Sequence, residues 1–191
     1  KVILTNDGNI AIVGQTNLPG IAYGNDDIWL IKIDLDGNEI WNKSYGHQRH
    51  EVGYDILELD NGGFLIVGFR DFYNDSGKDI LIIKTDNKWN KIWEKIIGSN
   101  GLYDEIAYSI SKSKNYGYLI CASSNLSDKD KYDPQVINID FDGNIIWNKT
   151  YNGSGLSHTR WVATSTNDGG LAVLGTTNYY REAGNNEDAY V

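Results

Sequence analysis

Chemistry-bearing side chains recur in this chain at fixed intervals. Asp27, Asp79, Asp133 and Asp188 each open an apolar phrase, of which Asp27-Ile-Trp-Leu-Ile-Lys-Ile is the first, and Trp41, Trp93 and Trp147 follow such phrases. A ring of carboxylates would bind a cation, and a set of tryptophans would stack on a planar ligand. Equivalent positions in successive units of a repeat lie far apart except near a common axis, so a structural task is the stronger expectation. Each Asp is expected to accept backbone N–H bonds in the loop that enters its strand. Each Trp is expected to fill the space between adjacent sheets.

Two turns, Asp34-Leu-Asp36-Gly37-Asn38-Glu39 and Asp140-Phe-Asp142-Gly143-Asn144, partly match the start of an oxygen-ligand calcium loop. Neither carries the closing Glu of that loop, and the second unit has Asp86-Asn87-Lys88 instead. A hairpin turn accounts for all three copies. No cofactor is therefore expected, with calcium the one candidate these turns leave open. His47-Gln-Arg-His50 reads as a polar connector rather than a metal pair, since no third ligand is evident. Asp104-Glu105 and Glu187-Asp188 are sequence neighbours, which on a strand point to opposite faces and suit paired acid–base work poorly. The phosphate-binding glycine loop, the G-x-S-x-G elbow and H-E-x-x-H are all missing, so no catalytic or metal-binding residue is assigned. The single cysteine, Cys121, sits in the apolar phrase Leu119-Ile-Cys-Ala and reads as a small buried hydrophobe.

The elements that position these residues follow from an internal repeat. Gly14, Gly68, Ala122 and Gly175 occupy one aligned position at steps of 54, 54 and 53 residues. Each unit contains four short apolar runs; in the second these are Tyr54–Leu59, Phe64–Gly68, Ile80–Lys84 and Lys91–Ile96. The middle two are nearly continuous in Val, Ile and Leu, the pattern of strands buried on both faces. Asn- and Gly-containing turns such as Asn6-Asp7-Gly8 and Asn61-Gly62-Gly63 join the runs as hairpins. Trp89, Ile92, Trp93, Ile96 and Ile97 have helical spacing, but register with Trp41 and Trp147 places Trp93 on a fourth strand.

Four strands per unit, repeated at this length, predict an all-β fold: a β-propeller of four-stranded antiparallel blades. The blades span about 1–46, 51–98 and 104–153, with a partial fourth at 159–191. The chain begins with Lys1, contains no Met and stops within its fourth copy. The expectation is a larger object whose remaining blades come from further sequence or from another chain.

The net charge of −9 argues against nucleic acid and anionic membrane as partners, since both demand clustered positive charge. No run of 18 apolar residues is present, so insertion of this segment into a membrane is not expected. The loops between second and third strands (15–26, 69–78, 123–132 and 176–187) are long, dissimilar and rich in Tyr, Asn, Asp and Gly. Tyr23, Phe72, Tyr73, Tyr132, Tyr179 and Tyr180 lie in or beside them and form the candidate binding face for protein or glycan. Asn42, Asn74, Asn125, Asn148 and Asn152 head N-x-[ST] sequons; Asn42 and Asn148 share one repeat position just after the fourth-strand Trp.

The phrases Asp168-Gly-Gly-Leu-Ala-Val-Leu-Gly-Thr-Thr-Asn178 and Asp27 to Gly46 resemble a widespread repeat. It belongs to the β-propellers of secreted and surface-anchored bacterial and archaeal proteins, roughly DGGYIVAGYT, D-W-VKLD, G-N-W-K-YGG, and the likeness covers the whole chain. That resemblance implies an extracellular or cell-surface location rather than a chemistry. More distantly, Asp34, Gly37 and Trp41 echo the order in quinoprotein propellers. Enzymes of that kind hold a quinone cofactor, often beside a vicinal disulfide that one cysteine cannot make.

The expected function is a non-catalytic module for surface structure, adhesion or recognition through its loop-rich face. The alternative is a propeller enzyme, quinoprotein-like or carbohydrate-active, with its active centre largely in blades beyond this sequence.

Overall fold

The computed structural model describes residues 1–18, 25–71, 77–113, 117–128, 131–151, 162–166, 171–177 and 188–190. These residues form strands and turns with no helix among them, so none crosses a membrane as a helix. Sheet 1 holds β1 (Val2–Leu4), β2 (Ile10–Thr16), β3 (Asp27–Ile33) and β4 (Glu39–Tyr45). Sheet 2 holds β5 (Glu51–Glu58), β6 (Phe64–Asp71), β7 (Lys78–Thr85) and β8 (Lys91–Ile97). Sheet 3 holds β9 (Glu105–Lys112), β10 (Tyr118–Asp128), β11 (Lys131–Ile139) and β12 (Ile145–Thr150). Sheet 4 holds β13 (Val162–Ser165), β14 (Leu171–Thr177) and β15 (Asp188–Tyr190). Strands pair in sequence order, always antiparallel.

The continuous apolar runs are buried on both faces. Phe64 to Val67 and Ile80 to Ile83 are fully inaccessible. Because successive strand residues point to opposite faces, β6 and β7 serve two cores at once. Phe64, Ile66, Leu81 and Ile83 pack with Ala11, Val13, Ile28 and Leu30 of sheet 1. Leu65, Val67, Ile80 and Ile82 pack with Ala107, Ile110, Ile120 and Ile137 of sheet 3. Each such side chain contributes about 1.5–3 kcal/mol by leaving water. Neighbouring sheets meet chiefly through the first strand of one: β5 lies on β2 and β3, β9 on β6 and β7, and β13 on β9 and β10.

The recurring aspartates each hold their own turn. Asp34 Oδ1 accepts the backbone N–H groups of Asp36 and Asn38 at 3.0 and 2.8 Å, and Oδ2 accepts Asn38 Nδ2 at 2.9 Å. Asp140 does the same with Asp142 and Asn144, and Asp86 with Lys88 and Asn90. Asp34 and Asp140, the first carboxylates of the two calcium-like turns, thus bond to their own turns, and Asp86 of the second unit follows the same plan. These bonds, led in Asp34 by the Asn38 side chain, hold all three carboxyls below the usual range.

The fourth turn position is left-handed in each copy, at φ 86° in Gly37, 61° in Trp89 and 79° in Gly143. Each preceding Trp rests there. Trp41 stacks on Trp89 with ring centroids 4.0 Å apart, and a Cβ at Gly143 would lie 2.8 Å from the Trp93 ring. Lys43 reaches Asn90 at 3.1 Å and Lys95 reaches Asn144 at 3.5 Å, repeating one strap between outer strands and the next turn. The helical spacing at 89–97 comes from Trp89 standing in the turn while Trp93 belongs to β8, where it pairs with Lys84.

Asp27 and Asp79 are wholly buried, as is nearly all of Asp133. Asp79 Oδ1 accepts the Gly101 N–H at 3.1 Å, and Ser99 and Asn100 N–H groups also point to this carboxylate. The bonds therefore come from the segment leaving the fourth strand, not from the loop entering the third. Glycine at 46 and 98 is required for this approach, since a Cβ would fall 2.3 Å from Asp27 Oδ1 and 2.4 Å from Asp79 Oδ1.

Candidate functional site

The described ends of the loops between second and third strands bond to the connectors between sheets along one rim. Glu51 N–H donates to Asp26 O, Asp71 N–H to His50 O, Lys78 N–H to Tyr103 O and Asn125 N–H to Asp104 O. Each bond ties the base of a loop to a connector. A line of charged and aromatic side chains crosses this rim from sheet 1 to sheet 3.

His50 stands between two carboxylates. Its Nδ1 lies 2.9 Å from Asp71 Oδ2 in a hydrogen bond, and its Nε2 is 3.0 Å from Asp26 Oδ2 but out of line for one. Lys78 Nζ lies 3.8 Å from Asp71 Oδ1 and 3.9 Å from Asp104 Oδ1. Tyr132 donates its hydroxyl proton to Asp104 Oδ2. Burial, then that carboxylate, push the Tyr132 hydroxyl above its ordinary range. Aromatic rings line the same strip. Tyr54 sits 5.2 Å from Tyr108 and 5.8 Å from Phe69, His50 meets Phe69 edge-on at 5.6 Å, and Lys78 Nζ lies 5.6 Å from the Phe69 ring centroid.

A second network adjoins it. Arg70 Nε donates to Glu51 Oε1 at 3.0 Å, and its Nη2 to Glu94 Oε1. Glu94 also receives Lys91 at 2.6 Å and lies 3.2 Å from His47 Nε2. Burial opposes ionisation of Glu94, but Lys91 and Arg70 together hold its carboxyl below the usual range. His47 and His50 thus address different carboxylates and do not converge. Among the described residues no group of three or more His, Cys, Asp or Glu is placed to hold a metal ion.

No protein-family model matches the chain, and no curated protein matches it.

Of the candidate face, Tyr132 lies in this strip with its hydroxyl engaged, while Tyr23, Phe72, Tyr73, Tyr179 and Tyr180 lie outside the described residues. Sequence reasoning missed Tyr54 and Tyr108, which share one repeat position at a step of 54 residues and could have been found from it. Asn42 and Asn148 are exposed on β4 and β12. Asn125 is only 6% exposed, and its Oδ1 accepts the Asp104 N–H at 2.7 Å. That leaves it a poor sugar acceptor. Asn74 and Asn152 lie outside the described residues. Cys121 is buried, with its thiol pushed up to about 12 by that burial, and is not a nucleophile at neutral pH.

Proposed function

We propose that the sheets are successive blades of one β-propeller, and that the chain is a non-catalytic recognition module of the cell exterior. The remaining blades come from further sequence or from another chain. The partner, a protein or a glycan, binds the loop-rich rim. One observation carries this reading: half-buried Tyr54, Tyr108 and Tyr132 lie with His50, Lys78 and Asp104 in a single strip where three sheets present their loops.

Aromatic faces beside fixed charges suit binding, because a rigid ring offers contact area at little entropic cost. Asp71 is engaged by His50 and Lys78, Asp104 by Lys78 and Tyr132, and Asp26 by the Gln15 amide, an arrangement that orders a surface. The exposed sequons at Asn42 and Asn148 support placement outside the cell.

The test is binding of the whole chain to a glycan microarray and to a panel of extracellular matrix proteins. Tyr108→Ala is expected to weaken the bound partner at least tenfold while the circular dichroism spectrum is kept. Unchanged binding in Tyr108→Ala and in Tyr54→Ala would exclude the strip. Turnover of an alcohol on adding pyrroloquinoline quinone would favour an enzyme instead.

A further inference from the structure

The junctions between sheets repeat one arrangement with one difference. Asp27, at the start of β3, acts electrostatically on Glu51, at the start of β5, where sheet 1 joins sheet 2; Asp79 acts in the same way on Glu105 from the same places where sheet 2 joins sheet 3. All four side chains are buried. Glu51 is the register partner of Arg70, whereas Glu105 is the register partner of Ser124. A guanidinium therefore answers the buried charge at the first junction. At the second, that position is an uncharged, fully buried serine.

Both carboxylates of the second junction draw on the same residue. Glu105 Oε2 accepts the Ser99 hydroxyl at 3.0 Å, and the Ser99 N–H serves Asp79 as well as Glu105. Asp79 Oδ2 is buried with no hydrogen-bond partner among the described residues. The surrounding charges give little relief. Asp104, the residue before Glu105, adds repulsion, and Arg49 acts on Asp79 from the preceding connector. Arg70 stands opposite Asp79 in the β6–β7 register, but its guanidinium goes to Glu51 and Glu94. Lys78 is turned to Asp71 and Asp104.

We propose that Asp79 and Glu105 share a proton at neutral pH, forming a proton-operated clasp that holds sheet 3 on sheet 2 and loosens when the proton leaves. Neighbouring carboxyls in a buried site resist double ionisation, so the last proton is held unusually tightly. Burial, followed by the charges of Asp79 and Asp104, pushes Glu105 up to about 7, and burial raises Asp79 as well. A carboxyl raised on folding stabilises the fold fully below its unfolded value, and that contribution is lost as pH climbs through the folded value. For Glu105 the window runs from about 4.5 to about 7. The connector that bears Ser99 also carries Asp104, the partner of Lys78 and Tyr132. An effect on partner binding rests on the recognition reading of the rim; the clasp itself does not.

The experiment is a carbon-detected NMR titration of the side-chain carboxyls, with thermal melts from pH 5 to pH 9. Glu105 is expected to titrate near neutrality, and the melting temperature to fall by several degrees between pH 5 and pH 8, a fall that Glu105→Gln abolishes. Titration of Glu105 in the ordinary glutamate range overturns the clasp, as does an identical pH dependence in Glu105→Gln. If that variant does not fold, the titration of the unaltered chain decides. Calcium chloride that restores the melting temperature at pH 8 and shifts the Glu105 signal would mean a metal site in place of a shared proton.

Discussion

Trp89 holds a left-handed backbone, φ 61°, where the other two turns have glycine. Its ring covers Trp41, and its carbonyl accepts the Tyr45 hydroxyl at 2.8 Å. Trp89→Gly would relieve backbone strain of about 1 kcal/mol but lose the stack and its apolar cover, for a net loss of about 1–2 kcal/mol by urea denaturation. Asp86→Ala is expected to lower the urea midpoint with an unchanged slope, because its turn would lose the carboxylate bonds to the Lys88 and Asn90 N–H groups. The turn family was only partly legible in the sequence. Its marks are Asp at the first place and Asn at the fifth, as in Asp86 and Asn90, whereas the eye goes to glycine at the fourth. The junction carboxylates were hidden for another reason. Glu105 was weighed against its neighbour Asp104, but its effective partner is Asp79, brought in across a sheet boundary that no local window spans.

Strands and their order were readable because burial on both faces forces long apolar runs, and tight hairpins force Asn, Asp and Gly. Fit between strands was less so. A Cβ at Gly68 would meet the Val52 carbonyl at 1.8 Å. β5 runs on past Gly68 with a bulge between Gly53 and Asp55. Gly68→Ala is therefore expected to cost about 1–3 kcal/mol or more by equilibrium unfolding. A cost within about 0.5 kcal/mol of the parent chain would show that the close approach of β5 to β6 is not what requires glycine. Loop faces were legible only as composition, and of the six aromatics chosen there Tyr132 alone is described.

For the whole molecule, the proposal of an exterior module predicts sugar on Asn42 and Asn148 in protein from its native source. Peptide mass spectrometry before and after enzymatic deglycosylation would show occupancy at these two and not at buried Asn125. The proposed propeller rests on sheets that meet chiefly through the first strand of one. A fan and a flat stack of sheets bury similar cores and differ in how the outer strands diverge. Spin labels at Leu4 and Lys112 mark first strands two sheets apart, and labels at Ile40 and Ile146 mark the matching fourth strands; all four residues are exposed, and buried Cys121 will not take label. Sheets packed face to face at about 10 Å put the first pair about 20 Å apart. Pulsed electron paramagnetic resonance on the two doubly labelled chains is the most direct test. A fourth-strand distance about twice the first-strand distance is the result predicted for blades around an axis, and equal distances would contradict it.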